Sequence, residues 1–495
     1  MTFVADLEPR PVWSHFDQIL QIPRASKDEE AMRRHVRELA ERRDGTETRQ
    51  DDAGNLVVTV PATPGCEGGE PVVLQSHLDM VQEKNSDSDF DFATDAIRPL
   101  HDGDYLTADG TTLGADNGLG VAAMLAVLEG ADDELRHGPL ELLFTIDEET
   151  GLTGAAELSP DLLQGRRLLN LDTEEEGALY VGCAGGGDSL LRLPVASAPA
   201  GESQDGEPLR VALTGLKGGH SGVDIHLQRG NAIRLLARVL RAAAEDGAVP
   251  VALTAIRGGT AHNAIPREAF AELRVPAGMA DEATAALERA FAAVRDEYRG
   301  VDPDMELTVE STGEADGSDE PLSRDSGEKL LSLLAALPHG VVTMSRDIPD
   351  LVETSSNLAR VSRDGNQVEV LMSTRSSVST ALEAQRDHIR AIAELAGAEV
   401  EEEEAYPGWQ PDMESELLAT FRHLHRQVLG EDPEIKAIHA GLETGIIGEK
   451  YPGMEMISFG PRIEFPHSPD ERALIPTVGP FWKLLKAALA ELGCS

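Results

Sequence analysis

The stretch VVLQSHLDM carries His77 and Asp79 two residues apart, and in an extended chain that spacing sets both side chains on one side of the backbone. A neutral imidazole that binds a metal commonly has its other nitrogen held by a carboxylate, so Asp79 is placed to orient His77. Asp116 follows in the Gly-rich DGTTLGADNGLG, Glu148 and Glu149 stand side by side in TIDEETG, Asp172 ends RRLLNLD, and His467 lies in the Pro-rich GPRIEFPHSPDE. Each has an ordinary reading alone: a hydrogen-bonded His–Asp pair, a helix N-cap, a solvated pair of acids. Together, two histidines and three carboxylates suit a pair of divalent ions, with one carboxylate shared. Two such ions about 3.5–4 Å apart share a hydroxide and clamp the oxygens of a tetrahedral intermediate, which is the chemistry of hydrolysis. The adjacent glutamates then divide the labour. One ligates, and the other carries the proton from the attacking water to the leaving amine.

These residues need a scaffold that brings them to one edge. Between residues 50 and 185, short apolar runs (LVVTV, PVVLQSH, LELLFTID, RLLNLD) alternate with helical stretches such as GLGVAAMLAVLEGA. That order predicts an α/β domain whose buried strands point their carboxyl ends at the ligand. His77, Glu149 and Asp172 all follow such strands. The Pro-, Ala- and Gly-rich segment at about 190–205 predicts a crossing into a second, α+β domain at 205–406. That domain reads βαββαβ and then, after the polar GEADGSDEP, α, β, β, α, β, so it is expected to be internally doubled. YPGWQP marks the return. The expected fold is therefore an α/β central-sheet domain, residues 1–190 and 408–495, split by the inserted α+β domain.

A chain of 495 residues has room for at least two cores. Its formal net charge of −45 repels nucleic acid and anionic lipid, and neither is expected as a partner. No apolar run approaches the ~20 residues needed to span a bilayer, and no export signal is visible at the N-terminus. Cys66, Cys183 and Cys494 show no framework spacing, so a disulfide-built secreted protein is not expected and a cytoplasmic location fits best. Lysine is scarce beside arginine. This acid-rich, lysine-poor composition suits either simple solubility or high salt, where screening relieves self-repulsion.

The strings SHLDMV, GADNGLGVA, DEETGLTGA, LDTEEEG, GGHSGVDI, AHNAIP, HAGLETG and PHSPDE, in this order, resemble the co-catalytic zinc peptidase family of carboxypeptidases, aminoacylases and dipeptidases. Within it they are most similar to the aminoacyl-histidine, or cytosol non-specific, dipeptidases. The likeness runs from about residue 10 to the end. It implies a metallopeptidase domain with an inserted lid and dimerisation domain, a homodimer, and two divalent ions. Zinc suits the ligands, with manganese and cobalt as alternatives. It implies His77, Asp116 and Asp172 on one ion and Asp116, Glu149 and His467 on the other, with Glu148 as general base and Asp79 orienting His77. It implies a cis peptide between Asp116 and Asn117. His220 is implied to stabilise the oxyanion, even from a partner subunit, while Asn263 and Arg375 receive the substrate's carboxylate and Glu443 its amino group. The implied activity is hydrolysis of dipeptides, Xaa-His among them. The alternatives are an aminoacylase or carboxypeptidase on the same scaffold, or a silent binding homologue. Cys183 reads as a buried small residue, and His423 and His425, two apart on a helix, receive no ligand role.

Overall fold

The computed structural model describes residues 2–130, 132, 134–199, 206–245, 252–312 and 320–494. They divide into two compact units, Met1–Cys183 with Trp409–Ala437 and Leu442–Ser495, and Ala184–Gly408 with Ile438–Gly441.

The first unit is built on an eight-stranded sheet whose four central strands, Leu140–Thr145, Val72–His77, Arg167–Asn170 and Glu455–Ser458, run parallel. Their registers align, His77 opposite Thr145 and Gln75 opposite Asn170, so their carboxyl ends finish at one edge. Val72–His77 and Leu140–Thr145 are buried at every residue, which is why their sequences are apolar runs rather than alternations. Helix Ala115–Glu129 is buried on all sides through Leu128 and packs on Val72–His77, as its uniformly apolar sequence requires. A four-stranded sheet pairs Ile463–Glu464, Arg472–Leu474, Tyr105–Ala108 and Pro99–Asp102. The loop between its first two strands carries His467.

The second unit is one antiparallel sheet in the order Glu306–Ser311, Glu207–Thr214, Ala269–Val275, Ala252–Gly258, Val352–Asp364, Gln367–Ser376, Gly185–Pro194, Glu399–Glu402. Each half of this order is a βαββαβ unit whose strands lie fourth, first, third, second, and the halves meet where Gly258 pairs with Val361. The buried faces of Ala232–Glu245, Ala280–Tyr298, Arg324–Ala336 and Ser379–Ala396 share one apolar core with the alternating strand residues. Two expectations are corrected here. Residues 190–194, expected to open the crossing, instead end strand Gly185–Pro194, which is the first strand of the second half and already belongs to the second unit rather than to the first domain expected through residue 190. Residues 200–205 and most of GEADGSDEP lie outside the described residues. Segment 438–441 also joins this unit, which the sequence pattern did not suggest.

The cysteine expectation is corrected as well: Cys66 and Cys494 form a disulfide across 428 residues, while Cys183 is free and buried. The end of helix Ile475–Gly493 reaches the Cys66 loop because Gly69, Gly138 and Gly493 let three backbones approach closely. A Cβ on Gly69 would stand 2.5 Å from the Gly493 carbonyl. No helix of the described residues is long and apolar enough to cross a membrane.

Candidate metal centre

Asp116 is the hub of the first unit's site. It stands where the backbone enters helix Ala115–Glu129, with non-helical dihedrals at Asp116 and Asn117 and a cis peptide between them. It is not an N-cap. One carboxylate oxygen, Oδ1, lies 3.1 Å from His77 Nε2, and the other, Oδ2, lies 3.2 Å from His467 Nε2. His77 Nε2 is 3.3 Å from Asp172 Oδ1, and His467 Nε2 is 3.0 Å from Glu149 Oε2. Two sets of potential ligand atoms therefore form, His77–Asp116–Asp172 and Asp116–Glu149–His467. A tetrahedral ion at ~2.0–2.2 Å from its ligands spaces them about 3.3–3.6 Å apart, close to these separations. Glu148 makes a further group with His77 and Glu149, so it stands beside both sets.

Strand ends and one carboxylate set this geometry. Asp79 is fully buried, with Oδ1 3.4 Å from His77 Nδ1. Its oxygens also accept from the backbone N–H of Glu148 and of Glu149, each at 3.1 Å, and from Ser26 Oγ at 2.7 Å. One side chain thus fixes both the His77 ring and the tandem glutamates. Burial alone would raise the Asp79 pKa, but His77, Ser26 and the Glu149 N–H hold it at about 2.

The electrostatics call for cations. Burial works against a charged His77, yet Asp172, Asp116 and Asp79 hold its pKa well above the usual histidine range. Hydrogen bonds to Asp116 and Glu149 lift His467 to about 11. Burial, with the neighbouring acids, pushes Glu148 well up and Glu149 up. Glu174 is raised to about 9 by burial and by Asp116 and Asp172 beside it. Such crowding of acids around two imidazoles is the donor set of a divalent-cation site, and the residues present fit two ions. Glu149 Oε1, buried and without a hydrogen-bond partner, is a further donor left for one.

Glu443 is 1% exposed at the start of helix Glu443–Lys450. Its Oε2 accepts from Gln75 Nε2 at 2.6 Å and Thr145 Oγ1 at 2.7 Å, its Oε1 has no partner, and burial lifts its pKa to about 8.

In the second unit, Gly219–His220 pairs with Ala264–Ile265, which sets His220 beside the AHNAIP segment. His220 Nδ1 accepts the backbone N–H of Gly222 at 3.2 Å and of Val223 at 3.0 Å. Burial and Arg375 lower its pKa, and because Nδ1 accepts two backbone N–H groups the ring proton belongs on Nε2. Asn263 is exposed, and its carbonyl accepts from Ser221 N at 2.7 Å. Arg375 is 7% exposed, donates from Nη1 to Tyr406 Oη at 2.9 Å, has an unpartnered Nε, and among the described residues forms no ion pair. Around it stand His220, His262 and His439, whose ring Nε2 lies 2.7 Å from Ser355 Oγ. A buried guanidinium without a carboxylate is a receptor for an anion.

Sequence reasoning missed Ser26, Glu174 and His439. Glu174 and His439 lie inside the motifs LDTEEEG and HAGLETG. Ser26 carries no local signal.

The family model for peptidase family M20/M25/M40 matches residues 73–491, and the chain belongs to this family. It is 41% identical over 494 residues to the cytosol non-specific dipeptidase of Escherichia coli (strain K12), covering 99% of each chain. It is 42% identical to the crystal structure of aminoacylhistidine dipeptidase from Vibrio alginolyticus, with a TM-score of 0.89 over 99% of this chain and 98% of that one. Aminopeptidase PepT from Bacillus cereus, 16% identical with a TM-score of 0.56 over 98% and 99%, shares the fold.

Proposed function

We propose that the protein is a metal-dependent dipeptidase that hydrolyses Xaa-His and other dipeptides. The observation that carries the chemistry is Asp116, whose two oxygens face separate ligand sets with Glu148 beside both. The names of the two 41–42% identical relatives carry the substrate class. His77, Asp116 and Asp172 would hold one ion, and Asp116, Glu149 and His467 the other, with zinc suited to such borderline N/O ligands. Bound there, two divalent ions would supply Lewis-acid polarisation of a carbonyl and a lowered pKa for water. Glu148 takes the proton from the attacking water as the water oxygen bonds to the carbonyl carbon, and delivers it to the amine as the C–N bond breaks. Asp79 keeps His77 in one orientation and tautomer. His220 donates Nε2–H to the developing oxyanion. Arg375, with Asn263, receives the substrate's carboxylate, and Glu443 accepts its amino group, whose positive charge draws the Glu443 pKa back down. A homodimer joined through the inserted unit and a cytoplasmic location complete the proposal. The location rests on the relative's name, because the Cys66–Cys494 bond removes the cysteine argument.

The test is a panel of dipeptides, dipeptide amides, tripeptides and acyl-amino acids, assayed with zinc, manganese or cobalt and after chelation. Free dipeptides should be cleaved only with metal, and their amides poorly. Arg375→Lys keeps the charge but loses the planar fork. It should lower kcat/KM for dipeptides by about 2–4 kcal/mol while leaving the amides little changed. Full activity in metal-free protein refutes the chemistry. Equal cleavage of dipeptides and amides hands the site to an aminopeptidase or aminoacylase.

A further inference from the structure

Two buried charges outside the ligand sets converge on the turn that delivers Asp116. Glu471 is 2% exposed. Its Oε2 accepts the backbone N–H of Leu113 at 2.7 Å and Gly114 at 2.8 Å, and its Oε1 that of Ala115 at 2.7 Å and Asp116 at 3.2 Å. Four consecutive amides are thus gathered on one carboxylate. Arg24, also 2% exposed, grips the same turn from its other side, donating from Nη2 to the Gly114 carbonyl. Its Nη1 donates to the carbonyls of Leu78 at 3.1 Å and Asp79 at 2.8 Å, in the segment just after His77. Gly114 has φ 70°, and a Cβ there would meet Arg24 Nη2 and, at 2.9 Å, Met80 Sδ. A side chain at the centre of this turn would therefore be both strained and crowded, which favours glycine there.

We propose that Glu471 and Arg24 are positioning residues of the metal centre, which fix the Asp116 carboxylate so that each oxygen serves its own ligand set. The proposal rests on the metal-binding reading above and adds to it the parts that aim the shared ligand. Glu471 lies four residues after His467 in the same loop, and Arg24 spans from the His77 segment to the Asp116 turn. Between them they tie three ligand-bearing segments into one frame. Burying a carboxylate and a guanidinium is a poor way to gain stability alone, since each loses its hydration and needs fixed partners in return. It is a good way to hold one backbone geometry, because every amide of the turn is committed to a partner.

The test uses the full chain stripped of metal and retitrated with zinc and with manganese, with binding read by calorimetry and fold by the melting temperature of the metal-free protein. Glu471→Gln keeps the size, but its NH2 opposes amide donors on one side. Arg24→Lys keeps the charge and loses the fork. Folded metal-free variants should bind the ions 10–100-fold more weakly, the usual cost of losing a partner of a ligand, with kcat recovering at high metal concentration. Folded variants with wild-type metal affinity overturn the proposal. So does a pair of variants that both fail to fold without metal, since the residues are then determinants of the fold. A wild type that binds no divalent ion overturns the metal reading itself, a different outcome.

Discussion

At the scale of single residues, the tandem glutamates should separate by experiment, because only the side chains differ in task while Asp79 holds both backbones. Glu148→Gln preserves shape and hydrogen bonding but cannot carry the proton. It should retain metal while kcat falls by about 10²–10⁴. Glu149→Gln should instead bind metal more weakly, as Glu149 Oε2 faces His467. Metal content by elemental analysis and kcat from initial rates on one dipeptide distinguish them. Near-wild-type turnover of Glu148→Gln would remove it as the base.

At the scale of elements, the site depends on how closely helix Ala115–Glu129 sits on the parallel strands. Gly120 allows it. A Cβ there would stand 2.6 Å from Ser76 Oγ and 2.7 Å from the Leu171 carbonyl, and would also meet Asn117 Oδ1. Those neighbours directly precede His77 and Asp172 or directly follow Asp116, and two of the contacts belong to rigid backbone or a buried strand. Gly120→Ala favours a helix by propensity, yet should lower stability by ~1–3 kcal/mol through overpacking and weaken metal binding as well. Thermal melts of the metal-free protein and a metal titration check this. A variant as stable as wild type would show that the helix has room to shift.

At the scale of the whole molecule, 88 acidic residues against 43 basic ones leave a strong self-repulsion at low salt. If the composition is an adaptation to salt, the melting temperature should climb from low salt to 1 M KCl, where the screening length is only about 3 Å. A flat or falling profile leaves solubility as the better account. Neutral osmolyte at matched osmotic strength separates screening from general exclusion effects, since it does not screen charge.

The sequence by itself determined the types of residue available for chemistry and much of the local pattern. His77, Glu149 and Asp172 follow buried apolar runs, and such runs are visible in any short window because both faces of those strands are covered. The βαββαβ pattern of the inserted unit was legible for the same reason, since alternation and helical period are local properties. Only the tertiary structure decided that the Asp116 oxygens face two different sets, that Glu471 gathers the amides of residues 113–116 across more than 350 positions, and that Cys66 meets Cys494. It also decided that residues 185–194 complete the half of the sheet formed by strands 352–364, 367–376 and 399–402. Such pairings leave no trace in a window of ten or twenty residues. They follow from where the close-packed sheets and glycine-lined approaches carry distant backbone, and that is a property of the assembled core.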